Sequence, residues 1–321
     1  MKALLFKAAN APIMYEEVAD PAPKDGEVVV QLKAASMNHR DNWMTLGMYP
    51  KLTPDVIPGS CGAGVVDGRE VIINPNIDWG DNPSYPNQKT YDILGMPTNG
   101  TFAEAIAVRP DRLVDKPAHL TFEEAAALPL AGLTAYRALF TKGRATKDTK
   151  VLINGIGGGV ALFAFQFAVA IGAEVFVTSS SDEKIAKAIE MGAKGGANYK
   201  EERWAKGFTK QFGRVDVVID SAGGDGFASL LKICNPQARI AVYGGTRGMS
   251  KLSPPDLFFK EIEIYGSTMG NDEEFLKMVE LVNQQKIRPV VDSVFDLSDH
   301  LKGYERMRQG SQFGKIVFKI K

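Results

Sequence analysis

From the N-terminus to about residue 118 the apolar positions come in short runs: KALLF, EVVVQL, GAGVV, REVII, then FAEAIAV and DRLVDKP. Runs of this length predict strands, and Asp67-Gly68 between GAGVV and REVII predicts a tight hairpin. Residues 74–100 break the pattern, being polar, turn-rich and without period. A loop this long inside a compact domain is either functional or a relic. At Thr121 the pattern changes, because TFEE fits a capping box in which Thr121 accepts from the amide of Glu124 and Glu124 reaches back. From about 121 to 266, strands and helices alternate: KVLIN, the long apolar VALFAFQFAVAIG, EVFVT, a helix opened by a second box from Ser180 to Glu183, ANY, a polar helix, VDVVID, a helix from about Asp225, ARIAVYGG and IEIYGS. Six short apolar strands in this alternation predict an α/β fold built on a doubly wound parallel sheet. Residues 272–321 give a helix (EEFLKMVELVNQQ), a strand near VDSVF, a helix (DHLKGYERMRQ) and the strand KIVFKI. They need a partner sheet, and the β-rich N-terminal segment is the available one. The pattern therefore divides the chain into a domain of residues 1–120 with 267–321 and a domain of residues 121–266.

The stretch KVLINGIGGGVA is the strongest local signal. Val151 to Ile153 form an apolar strand, Gly155, Gly157, Gly158 and Gly159 make a turn, and the helix that follows, starting at about Val160, is too apolar for a surface. Glycine lets the backbone bend tightly and lets a pyrophosphate approach the free amides at a helix start, where the helix dipole favours an anion. The spacing, read as Gly155-x-x-Gly158-x-x-Ala161, departs from G-x-G-x-x-G, and a bare structural turn would use the same residues. The next strand sharpens the reading. Dinucleotide folds that take NAD place an acid at its end; here Thr178 to Ser181 stand there, with Ser179 where an Asp would be. Nothing repels a 2′-phosphate. Ser179, Ser180, Lys184 and the helix amides can form a pocket for one; Ser180 as a plain cap with a solvated Lys184 is the alternative.

Composition narrows the partners. The 321 residues are 45% hydrophobic and 24% charged, with 38 basic and 38 acidic side chains. Zero net charge gives no electrostatic support for nucleic acid or an anionic membrane, so a small molecule is the expected partner. The longest apolar stretch is too short to span a bilayer. Two cysteines, Cys61 and Cys234, build no disulfide framework, and with no charged-then-apolar leader the expected compartment is the cytoplasm.

Together, SMNHRDNWMTLGMYP, DVIPGSCGAGVV, AALPLAGLTAYRAL, VLINGIGGGVALFAFQFA, DVVIDSAGG and GKIVFKI resemble the medium-chain dehydrogenase/reductase superfamily, and within it the zinc-free quinone oxidoreductase-like branch. The resemblance implies a GroES-like catalytic domain, a Rossmann domain and an active site in the cleft. Where catalytic-zinc members carry Cys, His and Cys, this chain has Asn38, Ser60 and Leu130, which leaves no zinc ligand set; Cys61 fits a small buried hydrophobe. Residues 74–100 resemble the structural-zinc lobe without its cysteines. Members with a serine and a nearby lysine at the second strand generally use NADP(H), and Tyr199 falls where a tyrosine often lies against adenine. Thr134, the backbones of Gly244 and Gly245, Ser267 and Thr268 match positions near the nicotinamide. A homodimer through the edges of two Rossmann sheets is common in the family.

Oxidising an unactivated alcohol requires loss of its proton, and zinc lowers the pKa of a bound water from about 15.7 to about 7, worth roughly 12 kcal/mol. A quinone or α,β-unsaturated carbonyl needs only a placed hydride and a donor for the developing oxyanion. The expected activity is hydride transfer from NADPH to such an acceptor without a metal. Asn38 and Tyr49 match family positions that line the cleft, and Trp43 stands where many quinone reductases have a tyrosine; packing is the plain role for Trp43 and Tyr49. His39 is either a proton donor or a solvated helix-start residue. An enoyl-thioester reductase and a dinucleotide-binding protein with little catalysis remain as alternatives.

Overall fold

The computed structural model describes residues 1–321. It divides into one unit of Met1–Ala131 with Asn271–Lys321 and a second of Gly132–Gly270. The boundaries fall later than the capping box suggests. The box itself forms, with the Thr121 amide donating to Glu124 Oε2 at 2.9 Å and the Glu124 amide to Thr121 Oγ1 at 3.2 Å. Its helix, α2 (Phe122–Ala127), buries Ala125 to Ala127 in the first unit, where Ser36 Oγ donates to Ala126 O at 2.8 Å.

In the first unit, β1 (Lys2–Leu5) pairs with β2 (Met14–Glu17). The main strands are β3 (Val28–Ser36), β4 (Cys61–Val66), β5 (Arg69–Ile73), β8 (Ala105–Val108) and β9 (Leu113–Asp115), with α1 (His39–Thr45) after β3. Asp67 and Gly68 turn from β4 to β5 at positive φ, 48° and 78°, which suits the right-handed twist of a hairpin. The short pair β6 (Asn76–Ile77) and β7 (Asp92–Ile93) frames the lobe at 74–100, where Trp79 is buried edge-on against Tyr91. The C-terminal segment supplies α9 (Asp272–Gln285), β16 (Val291–Asp296), α10 (His300–Gln309) and β17 (Lys315–Lys319). Strand β17 pairs antiparallel with β3, completing the order β16-β17-β3-β4-β5-β9, so the last residues close the first sheet.

The second unit follows α3 (Pro129–Tyr136), in which the boundary falls. It runs β10 (Lys150–Ile153), α4 (Gly159–Ala170), β11 (Glu174–Ser179), α5 (Asp182–Glu190), β12 (Gly195–Asn198), α6 (Trp204–Phe212), β13 (Val215–Asp220), α7 (Phe227–Ile233), β14 (Cys234–Val242), α8 (Pro254–Phe258) and β15 (Glu263–Gly266). All six strands are parallel in the order β12-β11-β10-β13-β14-β15, the doubly wound arrangement with its switch point between β10 and β13. Helix α4 buries Ala161 to Phe165, Phe167 and Ala168, which is why its sequence is apolar nearly all round. The cap of α5 differs from expectation. Ser181, not Ser180, has the extended backbone of an N-cap and takes the Lys184 amide on Oγ at 3.4 Å; Ser180 belongs to the turn before it. No helix is long and apolar enough to cross a membrane.

Candidate active site

The glycine turn sits at the carboxyl ends of the second unit's strands. Gly155 and Gly157 have φ of 78° and 128°, conformations that side chains disfavour, and Gly158 is the N-cap of α4. A Cβ built at Gly155 or Gly158 meets nothing within 4 Å, so the turn that leads into the α4 N-terminus is uncrowded at these two positions. That is a cradle in which a pyrophosphate fits. The turn is held from below by residues that no sequence motif singles out. Asn154 Nδ2 donates to Asp220 Oδ1 at 2.6 Å, Thr178 Oγ1 donates to Asn154 Oδ1 at 2.5 Å, and the Gly155 amide donates to Thr178 Oγ1 at 3.1 Å. Asp220, fully buried, also accepts from the amides of Ala222 and Gly223. One carboxylate thus fixes the loops after β10 and β13.

Ser179 ends β11, buried, its Oγ accepting from the Ser181 amide at 3.2 Å. Ser180 and Lys184 flank the same helix start. Tyr199 follows β12, half-buried, with its amide on Ser179 O at 3.0 Å. Gly244 and Gly245 follow β14; Gly244 lies close to Ser221, a Cβ there falling 3.1 Å from Ser221 O, while Gly245 is open. Ser267 follows β15, its amide on Val242 O at 2.8 Å and its Oγ buried without a partner; Thr268 is next to it. Thr134 is buried on α3. The open glycine turn and the orphaned Ser267 hydroxyl fit a nicotinamide dinucleotide.

In the first unit, Asn38 and Leu130, two of the three positions that the resemblance matches to zinc ligands, meet at Cys61, next in sequence to the third, Ser60. Asn38 Nδ2 donates to Cys61 Sγ at 3.3 Å and the Leu130 amide donates to it at 3.2 Å. Cys61 is fully buried, as expected of a small hydrophobe, yet its sulfur is the acceptor at the centre of a polar cluster. Lys315, from β17 and 4% exposed, donates through Nζ to Asn38 Oδ1 at 2.7 Å and to Met37 O at 2.5 Å. Arg40 Nη1 donates to Ser60 Oγ and to Leu94 O. Asp41 accepts the Asn38 amide at 2.7 Å. Burial lowers the pKa of Lys315, against the pull of Cys61 and Asp41, and burial raises that of Asp41, against Arg40. This donor set does not fit the zinc: no three His, Cys, Asp or Glu side chains converge, and the oxygens of Asn38 and Ser60 already serve two cations, which would repel a third.

Tyr49 is half-buried after α1, with the Arg40 guanidinium 4.6 Å from its ring centroid. Trp43 is also half-buried, 6.3 Å from the His39 ring one turn earlier, and His39 itself is exposed. Lys315, Arg40 and Asp41 are site residues that the sequence reading does not reach. The charged run His39-Arg40-Asp41 next to Asn38 is the available signal for two of them; Lys315, 277 residues from Asn38, offers none.

Comparison with known proteins agrees with both halves of the fold. Residues 24–118 match the family described as alcohol dehydrogenase GroES-like domain, and residues 159–284 the family described as zinc-binding dehydrogenase. The chain is 35% identical to the zinc-type alcohol dehydrogenase-like protein YogA of Leptosphaeria maculans, over 96% of this chain and 95% of that one. A solved NAD-dependent alcohol dehydrogenase matches over 100% of both chains, with TM-score 0.95 and 32% identity. The quinone oxidoreductase of Thermus thermophilus, solved also with NADPH, matches over 100% of both chains with TM-score 0.85 and 26% identity. With two family matches and a relative this similar along nearly the whole length, the chain belongs to the medium-chain dehydrogenase/reductase superfamily of oxidoreductases.

Proposed function

We propose that the protein is an NADPH-dependent reductase of quinones or α,β-unsaturated carbonyls that works without a metal. The observation that carries this reading is the Lys315-Asn38-Cys61 cluster, which puts a buried cation and its hydrogen bonds where a zinc site would need ligands. Without a Lewis acid to lower an alcohol's pKa, the feasible substrates are those already electrophilic. A bound reduced nicotinamide supplies the hydride.

The chain's own residues do the rest. Gly155 to Val160 hold the pyrophosphate, Ser179, Ser180, Lys184 and Tyr199 the adenosine end, and Thr134, Gly244, Gly245, Ser267 and Thr268 the nicotinamide end. Asn38 and Tyr49 orient the acceptor carbonyl, and Trp43 offers a flat wall for a conjugated ring. Lys315 holds Asn38 Oδ1 and Cys61 Sγ takes one N–H of Nδ2, which fixes the amide and leaves its second N–H as the donor for a developing oxyanion. The proton that completes reduction comes from solvent. Because β15 is an edge strand with Ile264 exposed, pairing of two copies along that edge fits a homodimer.

The likeness to an NAD-dependent alcohol dehydrogenase favours a second reading, alcohol oxidation with NAD. A spectrophotometric assay of nicotinamide oxidation with a quinone and enone panel, run beside ethanol and butanol with each oxidised nucleotide, decides between the two. The proposal requires reduction of at least one conjugated acceptor and no comparable alcohol turnover.

A further inference from the structure

The loop after β14 carries an arginine that the nucleotide reading above does not use. Arg247 is exposed, and its guanidinium forms no ion pair; its side-chain hydrogen bond goes to Tyr199. Its head rests 5.5 Å from the Tyr199 ring centroid, with Nη2 donating to Tyr199 Oη at 3.5 Å. Tyr199 follows β12 and Arg247 follows β14, strands on opposite sides of β10, so this contact spans the carboxyl ends of the strands between them.

The loop that makes the crossing is fixed, not floppy. The Arg247 amide donates to Ala222 O at 2.8 Å, and the Gly224 amide to Gly248 O at 3.1 Å, which zips the loops after β13 and β14 together. Gly224, at φ 68°, has no room for a side chain: a Cβ there would lie 2.8 Å from Arg247 Cβ and 2.9 Å from Arg247 O. Glycine at 224 is what lets Arg247 come this close. Tyr199 in turn is tied through its amide to Ser179, the strand end that lacks an acid. An arginine without an anionic partner is thereby held against the tyrosine whose amide is bonded to the strand end where a carboxylate would have repelled a phosphate.

We propose that Arg247 is a specificity-determining residue that binds the 2′-phosphate of NADP(H), with Tyr199 holding the guanidinium in place. The inference rests on the NADPH reading above. A guanidinium presents a planar fork of donors that matches phosphate oxygens, and stacking on an aromatic face pre-organises it. Lys184, in the first turn of the helix after Ser179, would contribute as a point charge.

The test is equilibrium titration of the wild type, Arg247→Ala and Gly224→Ala with NADPH, NADH, 2′,5′-ADP and 5′-AMP, with melting curves to confirm folding. Arg247→Ala should weaken NADPH and 2′,5′-ADP roughly tenfold or more and leave NADH and 5′-AMP unchanged. Gly224→Ala should reproduce the selective loss by displacing the loop. Equal weakening of all four ligands would make Arg247 an adenine-stacking residue and overturn the proposal, as would unchanged NADPH binding in Arg247→Ala. If the wild type itself binds NADPH and NADH alike, the underlying NADPH reading fails, and that result is visible before any variant is made.

Discussion

Asp272 joins the polar lobe to the C-terminal segment of its own unit, and its removal has a calculable cost. It accepts two hydrogen bonds from Arg112, both at 2.7 Å, and one each from Asn74 and Asn76 at 2.8 Å. Arg112 also donates to Asn76 O at 2.9 Å, so the guanidinium ties the start of the 74–100 lobe to the first residue of α9. The Arg112 side chain is only 11% exposed, whereas that of Asp272 is 49% exposed. Breaking a fully buried pair costs about 3–5 kcal/mol because the remaining charge is left without compensation. Solvent at Asp272 screens part of that, and Asp111 stays near Arg112, so Asp272→Ala should cost about 2–3 kcal/mol. For a unit of this size that lowers the melting temperature by roughly 4–12 °C. Asp272→Asn should cost less, since it keeps the shape and one acceptor. The pH dependence has a definite sign. Burial alone would raise the Asp272 pKa, but the hydrogen bonds and charge of Arg112, with those of Asn76 and Asn74, hold it below the usual carboxylate range. The contribution is therefore present above the unfolded value of about 3.9 and is lost as pH falls through the folded value. Thermal unfolding of the wild type and both variants, near neutrality and in acid, measures it. A change below about 0.5 kcal/mol for Asp272→Ala, the range of an ordinary surface substitution, would refute the reasoning.

The other predictions concern chemistry. NADPH should bind more tightly than NADH, and Lys184→Ala should narrow the gap by about 1.5–3 kcal/mol, or roughly tenfold and upward; equal wild-type affinities would contradict the pocket around Ser179. Placing an acid at that strand end, Ser179→Asp, should shift preference toward NADH by repelling the 2′-phosphate, as read by the ratio of the two dissociation constants. Tyr49→Phe should lower turnover of a conjugated acceptor more than it weakens NADPH binding; unchanged turnover would remove Tyr49 from the reaction. Elemental analysis of the purified protein should find no stoichiometric zinc, and one bound zinc per chain, lost together with activity on chelation, would overturn the metal-free reading.

What is legible in the sequence is whatever its neighbours along the chain decide. Asp67-Gly68 fixes a hairpin within two residues. The strand, glycine turn and apolar helix from Lys150 to Ala170 are one local unit, because the turn needs positive φ and the helix needs burial. Ser179 can be found because it ends a strand whose position in the alternation can be counted. Three consecutive serines defeat the finer assignment, since each can cap a helix and only the fold chooses Ser181. The first unit's boundary is hidden for a similar reason: a capping box marks where a helix starts, not which core it packs into. Alanines 125 to 127 pack into the first.

What is not legible depends on residues that only the folded chain brings together. Asn154 follows β10 while Thr178 and Asp220 lie at the ends of other strands, and none is unusual in its own segment. Lys315 is the clearer case. Within KIVFKI it looks like a charged residue opening an ordinary strand, and the same alternation would suit a solvent-facing lysine. Its burial follows from β17 pairing with β3, whose last residue, Ser36, stands just before Met37 and Asn38, so strand pairing carries the ammonium to Met37 O and Asn38 Oδ1. A buried ammonium is costly unless it is hydrogen-bonded, and here a carbonyl and an amide oxygen take two of its three donors. The orientation of the Asn38 amide near one end of the sequence is therefore set by the strand at the other. Grafting the Asn38 motif onto another chain without β17 would transfer the residue but not its orientation.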